Sequence, residues 1–332
     1  MARLSAARTT AATFAIALFA LAAAVAVMAT GPLGVAPDQL AAALFGHGSP
    51  DAELALTLRG PRLLAAMTCG AALAGAGAGF QILFRNPLAA PDLLGVSSGA
   101  GLGAALALLL GAGAALVQGA AFAGGLATGA IALACAAMTR SGDGRLALIL
   151  CGVVAGALAA AGLGLVVVVA EPYSQLPSIT WWLLGSFTRA TMAEALMAVI
   201  PAGIGAAILI WLGFRLDILS LGDEQAQSLG LPARPLRILA LCAAALMTSA
   251  AVAVAGLVGW IGLLAPHAAR LVVGEQAGRL LPAAMATGAL FALLIDRLAT
   301  AFGPAELPVG LLSAAVGAPA FLFLFVVSSR RS

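Results

Sequence analysis

Long runs without a charged residue dominate the chain. A membrane-spanning helix needs about 20 consecutive apolar residues, so each run near that length predicts one span. The runs are 9–37, 63–84, 93–139, 146–170, 195–214, 238–269, 280–295 and 307–329. The third is long enough for two helices, and the sixth for one span plus a short, partly inserted helix. The pattern therefore predicts about ten transmembrane helices.

These runs define one transmembrane domain, residues 1–332, of the all-α integral membrane class. The predicted helices cover 10–30, 62–84, 93–110, 114–138, 146–170, 191–213, 237–257, 258–270 (the short one), 279–297 and 307–328. Two longer polar segments, 31–61 and 171–190, are predicted on one side of the membrane. A third, 216–235, is predicted on the other side.

Arginine indicates the orientation of these helices, because basic residues accumulate on the cytoplasmic side of a membrane. All sixteen basic residues are arginine. With both termini inside, twelve of them are cytoplasmic: Arg3, Arg8, Arg85, Arg140, Arg145, Arg215, Arg234, Arg237, Arg270, Arg279, Arg330 and Arg331. The other four, Arg59, Arg62, Arg189 and Arg297, lie outside. We expect a multi-pass protein of a bacterial inner (cytoplasmic) membrane; a cleaved signal peptide at the N-terminus is the alternative.

Composition supports the bilayer as solvent and excludes several kinds of chemistry. Charged residues are 9% of the chain, against about 25% in soluble domains. The sequence contains no lysine, which a Walker A phosphate loop and a Schiff-base enzyme both require. We therefore expect no enzyme and no cofactor bound by this chain; if ATP drives it, another chain hydrolyses the ATP. The four cysteines lie in apolar runs and are interpreted as packing residues, with no metal site.

Residues 95–99 match the G-x-S-x-G pattern of serine hydrolases. That pattern requires a strand-to-helix turn and a histidine partner, whereas here it opens a predicted membrane helix. Glycine pairs four residues apart favour close helix packing instead. Such pairs are Gly75 and Gly79, Gly99 and Gly103, Gly125 and Gly129, and Gly152 and Gly156.

Three polar stretches interrupt the predicted helices. Asn86-Pro87 is a helix terminator and predicts a tight turn. His267, after Pro266, has no neighbouring ligand that would indicate a metal site. Residues 220–230 predict a short amphipathic helix, capped by Ser220 or Asp223 and ended by Gly230. That helix could be an inert connector or a docking element.

Seven stretches together resemble the FecCD family, the permeases of iron-siderophore, haem and cobalamin ABC importers. They are Arg59–Leu64, Arg85–Ala89 with Leu94–Ala100, Trp182–Ser186, Leu219–Gly222 with Ser228–Gly230, Gly259–Leu263 with Pro266–Arg270, Ala305–Gly310, and Gly317–Pro319. Their order and spacing over about 59 to 320 make the resemblance specific. It implies a cobalamin-permease-like (type II ABC importer) fold with ten helices per subunit.

The resemblance also implies partners and roles. Two permease subunits, identical or homologous, would face each other across a translocation path. Two ATPase subunits with ATP and Mg²⁺ would bind inside, and a substrate-binding protein outside. Residues implied in ATPase coupling are Ser220, Leu221, Gly222, Asp223, Glu224, Ala226, Leu229 and Gly230. Residues implied in binding-protein docking are Arg59, Arg62 and Arg297, and those in structural or gating turns are Asn86, Pro87, Gly95, Ser97, Pro266 and His267.

One departure and one rival interpretation remain open at this point. The family often has an arginine where this chain has Thr300, and Arg297 stands one helical turn earlier. An ion-coupled secondary transporter is the rival; such proteins usually bury a charge near mid-membrane. By sequence, every Asp and Glu lies at the edge of an apolar run or in a loop. The substrate, whether siderophore, haem or cobalamin, is not determined by the sequence.

Overall fold

The computed structural model describes residues 2–29, 35–139, 144–301 and 306–329, and nearly all of them are helical. The α-helices, numbered in chain order, are α1 Ala2–Ala29, α2 Pro37–Leu44, α3 Pro50–Phe84, α4 Val96–Leu109, α5 Ala114–Met138, α6 Gly144–Val169, α7 Gln175–Leu183, α8 Met192–Leu219, α9 Asp223–Ser228, α10 Ala233–Ala255, α11 Ile261–Val273, α12 Ala277–Ala301 and α13 Val309–Ser329. A 3₁₀ helix, Pro91–Leu94, precedes α4. Arg140, Arg330, Arg331 and Ala305 lie outside the described residues.

Seven of the described helices are long and apolar enough to cross a membrane: α1, α3, α5, α6, α8, α10 and α12. Three more, α4, α11 and α13, are apolar over shorter lengths. Together they account for the ten apolar helices that the charge-free runs predict. The expected all-helical membrane fold is confirmed.

The second predicted helix begins earlier than its apolar run. α3 starts at Pro50 rather than at 62, because the Ser49 Oγ caps it by accepting a hydrogen bond from the Ala52 N–H at 3.3 Å. Proline at the first helical position and two carboxylates in the first turn favour this start. Residues 50–61, which the sequence assigns to a polar segment, are therefore helical. An apolar run marks only the part of a helix suited to lipid, so it misses such a polar extension.

The other polar segments also contain helical structure. α7 lies within 171–190, and α8 continues to Leu219, so the segment 216–235 begins inside that helix. α10 and α11 occupy the region predicted as helices 237–257 and 258–270. The break between them is made by Gly256, whose φ of 73° ends α10.

The core is built around α3, which packs against α8, α10, α11 and α12. Backbone contact between helices, rather than large side chains, brings these elements together. A Cβ added at Gly70 would lie 2.2 Å from the Gly288 carbonyl oxygen of α12. One added at Gly77 would lie 1.9 Å from the Gly262 carbonyl oxygen of α11. Small residues allow this approach in a bilayer, where lipid gives helices no hydrophobic reason to associate.

The glycines of the G-x-S-x-G match are also packing residues, as predicted. A Cβ at Gly95 would lie 2.6 Å from the Gly156 Cα of α6, and one at Gly99 would lie 2.4 Å from the Gly124 carbonyl oxygen of α5. The motif joins the 3₁₀ helix to α4, and the Ser97 hydroxyl donates a hydrogen bond to Asp92. This motif therefore joins two helices and does not form the strand-to-helix elbow of a serine hydrolase.

The close approach at Gly77 predicts a large effect of one methyl group. We expect Gly77→Ala to lower the free energy of unfolding by about 1–3 kcal/mol, because α3 and α11 must separate to admit the Cβ. Gly203→Ala in α8 is the matched control, since a Cβ there meets nothing within 4 Å. The control should be neutral or stabilising by about 0.5–1 kcal/mol. Unfolding of both variants in detergent measures the difference; equal stability would contradict backbone contact at Gly77.

Candidate functional sites at the two ends of the helix bundle

The first candidate site is the connection between α8 and α10, which carries the short helix α9. Gly222 begins α9 with a φ of 135°, a conformation that L side chains rarely adopt. A Cβ there would lie 2.3 Å from the Gln225 Oε1 and 3.3 Å from a guanidinium nitrogen of Arg85. Gly230 (φ 76°) follows α9, and the Leu231 N–H donates to the Ala226 carbonyl at 2.9 Å. Glycine is thus required at the entry of α9, and a second one lies at its exit.

Neither predicted side-chain cap of α9 is formed. The Ser220 hydroxyl donates to the Asp217 carbonyl oxygen at 2.6 Å, and Gly222 occupies the N-cap position. Asp223 accepts two hydrogen bonds from the guanidinium of Arg237, one of them 2.8 Å long. The bond from Arg237 lowers the pKa of Asp223 below its ordinary value, against partial burial, which raises it. The Asp223 carboxylate, which was expected to cap α9, instead links α9 to α10 through Arg237.

The remaining residues of this segment divide into an anchor and an exposed face. The Ala226 side chain is fully buried, so it holds α9 against the bundle. Leu221 and Leu229 are 56% and 62% exposed, and Glu224 is also exposed. An exposed apolar pair beside a free carboxylate is a surface suited to a protein partner.

The turn after α3 lies beside this segment. Arg85 ends α3 in a left-handed conformation (φ 50°), and the Asn86 Oδ1 accepts a hydrogen bond from the Leu88 N–H at 2.9 Å. Pro87 is exposed in the same turn. The Arg85 guanidinium is the group that approaches Gly222. The sequence predicts this tight turn, but not its contact with the start of α9.

Pro266 and His267 lie elsewhere, buried in α11. The His267 ring packs against Phe321, with 5.7 Å between ring centroids. Among the described residues, no three His, Cys, Asp or Glu side chains come together in a group that could hold a metal ion.

The second candidate site is a charge network centred on Arg62, toward the other end of α3. The Arg62 Nε lies 3.0 Å from both carboxylate oxygens of Asp296. One terminal nitrogen lies 2.9 and 3.1 Å from the two carboxylate oxygens of Glu306. Glu306 also accepts a hydrogen bond from the Thr188 hydroxyl. One guanidinium thus joins α3, α12 and two connecting segments that are far apart in sequence.

Because the network is largely buried, the stability of the protein depends on each of its charged members. The side chains of Arg62 and Asp296 are 17% and 6% exposed, and that of Glu306 is 35% exposed. Burial by itself raises the pKa of Glu306, but hydrogen bonds from Arg62 and Thr188, together with the Arg62 charge, lower it below its ordinary value. The Arg62 guanidinium donates two hydrogen bonds to each of the two carboxylates, Asp296 and Glu306. The planar guanidinium of arginine provides this geometry, and the ammonium group of lysine does not.

The structure gives the three arginines of the docking hypothesis different surroundings. The Arg62 guanidinium is engaged by internal carboxylates, and an Arg59 terminal nitrogen donates to the Met28 carbonyl oxygen of α1 at 2.8 Å. Arg297 is exposed. The pairing of Arg62 is not predictable from local sequence, because its partners lie 234 and 244 positions away. The available signal was a carboxylate at 296 near the end of a mostly apolar helix.

Three helix ends meet next to the charge network. The Ser186 N–H donates to the Ala255 carbonyl at 2.9 Å. The N–H groups of Val309 and Gly310 donate to the carbonyls of Gly185 and Leu184, both at 3.0 Å. The ends of α7 and α10 and the start of α13 therefore satisfy one another's backbone groups. Backbone N–H and C=O groups outside regular helices require such partners where water cannot hydrogen-bond to them.

A cavity of about 650 Å³ opens beside these helix ends. Its wall includes the polar side chains of Gln118, Thr188, Arg189, Glu194 and Glu306 and the indoles of Trp181 and Trp182. Two of the stretches quoted for the family resemblance, the one at 182–186 and the described part of the one at 305–310, thus come together beside the end of α10. Gln118 and Thr188 have no local sequence pattern that marks them, and Glu306 lies in a family stretch without a predicted role of its own.

Comparison with known proteins gives consistent matches over almost the whole chain. Residues 9–327 match the sequence profile of the FecCD transport family. The chain is 40% identical over 270 residues to an iron chelatin transport system permease protein of Helicobacter pylori, covering 81% of each. It is 35% identical over 269 residues to the molybdate import system permease protein MolB of Haemophilus influenzae, covering 81% of this chain and 80% of that one.

A solved structure agrees with the fold as well. It is described as an inward-facing conformation of a metal-chelate type ABC transporter, and it is 31% identical in sequence. The two superpose with a TM-score of 0.86, covering 96% of this chain and 99% of the other.

The charge network predicts that Arg62 cannot be neutralised alone. We expect Arg62→Gln to lower the free energy of unfolding by about 3–5 kcal/mol, because Asp296 is left buried without its hydrogen-bonded counter-charge. Adding Asp296→Asn should recover much of that loss. Arg189→Gln, an exposed arginine near the same segments, is the control, with an expected change within about 0.5 kcal/mol. Denaturation in detergent provides the measurement, and an Arg62 variant as stable as the control would count against the network.

Proposed function

We propose that this chain, which belongs to the FecCD transport family, is the membrane-spanning permease subunit of an ATP-driven importer for an intact metal chelate. The observation that carries this proposal is the match to transport permeases across nearly the full length of both proteins. The candidate substrates are iron chelates, haem and cobalamin, delivered by a separate binding protein. Two permease subunits, identical or homologous, enclose the translocation path.

ATP hydrolysis takes place on a partner chain. The absence of lysine supports this assignment, since the phosphate loop of an ATPase requires one. α9 is the element that docks into that ATPase, through the exposed side chains of Leu221, Glu224 and Leu229. The buried Ala226 and the Asp223–Arg237 ion pair support the role, because they make α9 rigid enough to transmit force. The approach of Arg85 to Gly222 extends this contact to the turn after α3.

The end of the bundle that carries α9 is cytoplasmic, and the end that carries the Arg62 network faces the binding protein. The twelve-to-four arginine distribution supports this orientation in a bacterial inner membrane, with both termini inside. Arg59, Arg62 and Arg297 all belong to the outer end. Arg62 acts there by shaping the docking surface, since its guanidinium is occupied by carboxylates of its own chain.

An ion-coupled secondary transporter is the second candidate, and Asp296 is the observation that favours it. This carboxylate is buried in α12, as a coupling-ion or proton site usually is. Its pairing with Arg62 disfavours that role, because a coupling site must release its cation during each cycle. The importer therefore accounts better for this residue.

Uptake measurements separate the two candidates. The permease is placed in proteoliposomes with its ATPase and binding protein, and uptake of radiolabelled ferric citrate, haemin and cobalamin is measured. We expect uptake of at least one of them to be lost when the Walker lysine of the ATPase is replaced, and to persist with an uncoupler present. Uptake that survives the ATPase defect and stops with the uncoupler would establish the ion-coupled transporter instead.

The entry of α9 predicts a variant that folds but does not couple. We expect Gly222→Trp to remain in the membrane and to lose both uptake and permease-stimulated ATP hydrolysis, because a side chain at a φ of 135° is strained and the indole would displace the side chains of Gln225 and Arg85. Gly274→Trp is the control, with a φ of 81° and open space for a Cβ, at the same end of the bundle. Normal uptake by the Gly222 variant would show that α9 only connects α8 to α10 and does not couple the permease to the ATPase.

Docking of the binding protein is tested with Arg62, Asp296 and Glu306 left unchanged. We expect the double variant Arg59→Gln, Arg297→Glu to weaken association with the binding protein, because charge-assisted contacts to its carboxylates are lost. The loss should be greatest at low ionic strength, where surface charges are least screened. Arg234→Glu, in the first turn of α10 at the α9 end, is the control. Equal affinity of both variants in a pull-down would refute docking through Arg59 and Arg297.

A further inference from the structure

Asp217 lies in the last turn of α8, where its own helix does not favour it. The C-terminal end of a helix carries a partial negative charge, which opposes a carboxylate placed there. Asp217 is nevertheless half-buried, and its Oδ1 accepts a hydrogen bond from the Ala277 N–H at 2.7 Å. Ala277 is the first residue of α12, and the start of a helix has unpaired N–H groups and favours a negative charge. The Asp217 carboxylate therefore stabilises the start of α12 and not the end of α8.

Asp217 also contacts the segment that leads to α9. Its backbone carbonyl oxygen accepts a hydrogen bond from the Ser220 hydroxyl at 2.6 Å, two positions before Gly222 caps α9. The end of α8 and the start of α12 lie close together at this level, since a Cβ added at Gly213 would lie 3.1 Å from the Gly278 Cα. One residue thus joins the connection that carries α9 to the start of α12.

α12 extends from this junction to the charge network at the other end of the bundle. Asp296, near the far end of α12, is held by Arg62 of α3. Between the two ends, α12 and α3 are in backbone contact, because a Cβ added at Gly288 would lie 2.2 Å from the Gly70 carbonyl oxygen. The turn that follows α3 lies beside the start of α9. Contacts therefore run from α9 to α12, from α12 to α3, and from α3 back to α9.

We propose that Asp217 is a positioning residue that transmits the movement of α9 to α12, and through α12 to the Arg62 network. When the ATPase displaces α9, the hydrogen bond from Ala277 to Asp217 moves the start of α12 with the end of α8. Because α12 is packed against α3 and bonded to it through Asp296, the displacement reaches the far end of the bundle. The proposal rests on the proposed importer function and adds to it a residue through which the two ends communicate.

Communication between the two ends can be measured at equilibrium. If a nucleotide on the ATPase changes the affinity of the importer for its binding protein, the binding protein changes the affinity for the nucleotide by the same factor. We define the coupling factor as the ratio, larger over smaller, of the dissociation constants of the binding protein measured with and without the ATP analogue AMP-PNP. A residue that only stabilises the fold leaves this ratio unchanged.

Three variants alter the contact in the complete importer, reconstituted in nanodiscs with its ATPase and binding protein. Asp217→Ala removes the acceptor. Ala277→Pro removes the donor and keeps the start of α12, since proline is favoured at the first position of a helix. We expect both to reduce the coupling factor toward one, from the range of about 5–150 that is typical of allosteric proteins, with the nucleotide-free affinity unchanged. Asp217→Asn keeps an oxygen acceptor at the same place and should retain most of the coupling.

A double variant and a matched control complete the experiment. Asp217→Ala combined with Ala277→Pro should reduce the coupling factor no further than either change alone, because both remove the same hydrogen bond. Ser49→Ala is the control: the Ser49 hydroxyl accepts a hydrogen bond from the Ala52 N–H at 3.3 Å, a helix-start contact that joins no second helix. Ser49→Ala should keep the coupling factor of the unaltered importer.

Four results would overturn the role of Asp217. They are an unchanged coupling factor in Asp217→Ala, additive losses in the double variant, a loss in Asp217→Asn as large as in Asp217→Ala, and a coupling factor of one in an unaltered importer that transports. Failure of Asp217→Ala to assemble with the ATPase would assign Asp217 to the fold alone and would overturn it as well. If the unaltered importer takes up none of ferric citrate, haemin and cobalamin in an ATP-dependent way, the proposed function itself fails, which is a separate result.

Discussion

The pairing of Arg62 with Asp296 and Glu306 is the interaction on which this end of the helix bundle depends. A buried carboxylate in a membrane helix is costly unless a cation compensates it. Arg62 provides that cation from another helix, and it extends to the segment before α13 through Glu306. The meeting of the ends of α7, α10 and α13, and the cavity beside them, are built on this connection.

The helix positions were largely predictable, and the reason is physical. Lipid cannot satisfy backbone or charged groups, so apolar runs reveal spans directly. The polar start of α3 at Pro50 escaped this method because its information lies in a cap at Ser49 and in proline, not in hydropathy. The glycine pairs indicated packing faces correctly, since a small residue repeated every four positions has a local signature.

The candidate sites were predictable only in part. The short helix α9 follows from a local sequence pattern, with glycines at its two ends. The charge network does not, because Arg62 meets its partners across more than 230 positions of sequence. The true role of Asp223 likewise depends on Arg237 of the next helix. The local pattern of the sequence marks the carboxylate at 296 as unusual, but it does not reveal which distant residue pairs with it.

The continuity of α3 has a consequence for how this protein can change over evolutionary time. Arg62 and Arg85 are 23 positions apart, with no proline between them, so they mark the two ends of one continuous helical segment about 34 Å long. Each contacts a different candidate site. Inserting or deleting one residue between them would turn one end by about 100° relative to the other. Single substitutions between the two arginines leave both ends of the helix in place, whereas an insertion or deletion does not. Relatives should therefore differ in the identity of these residues and rarely in their number.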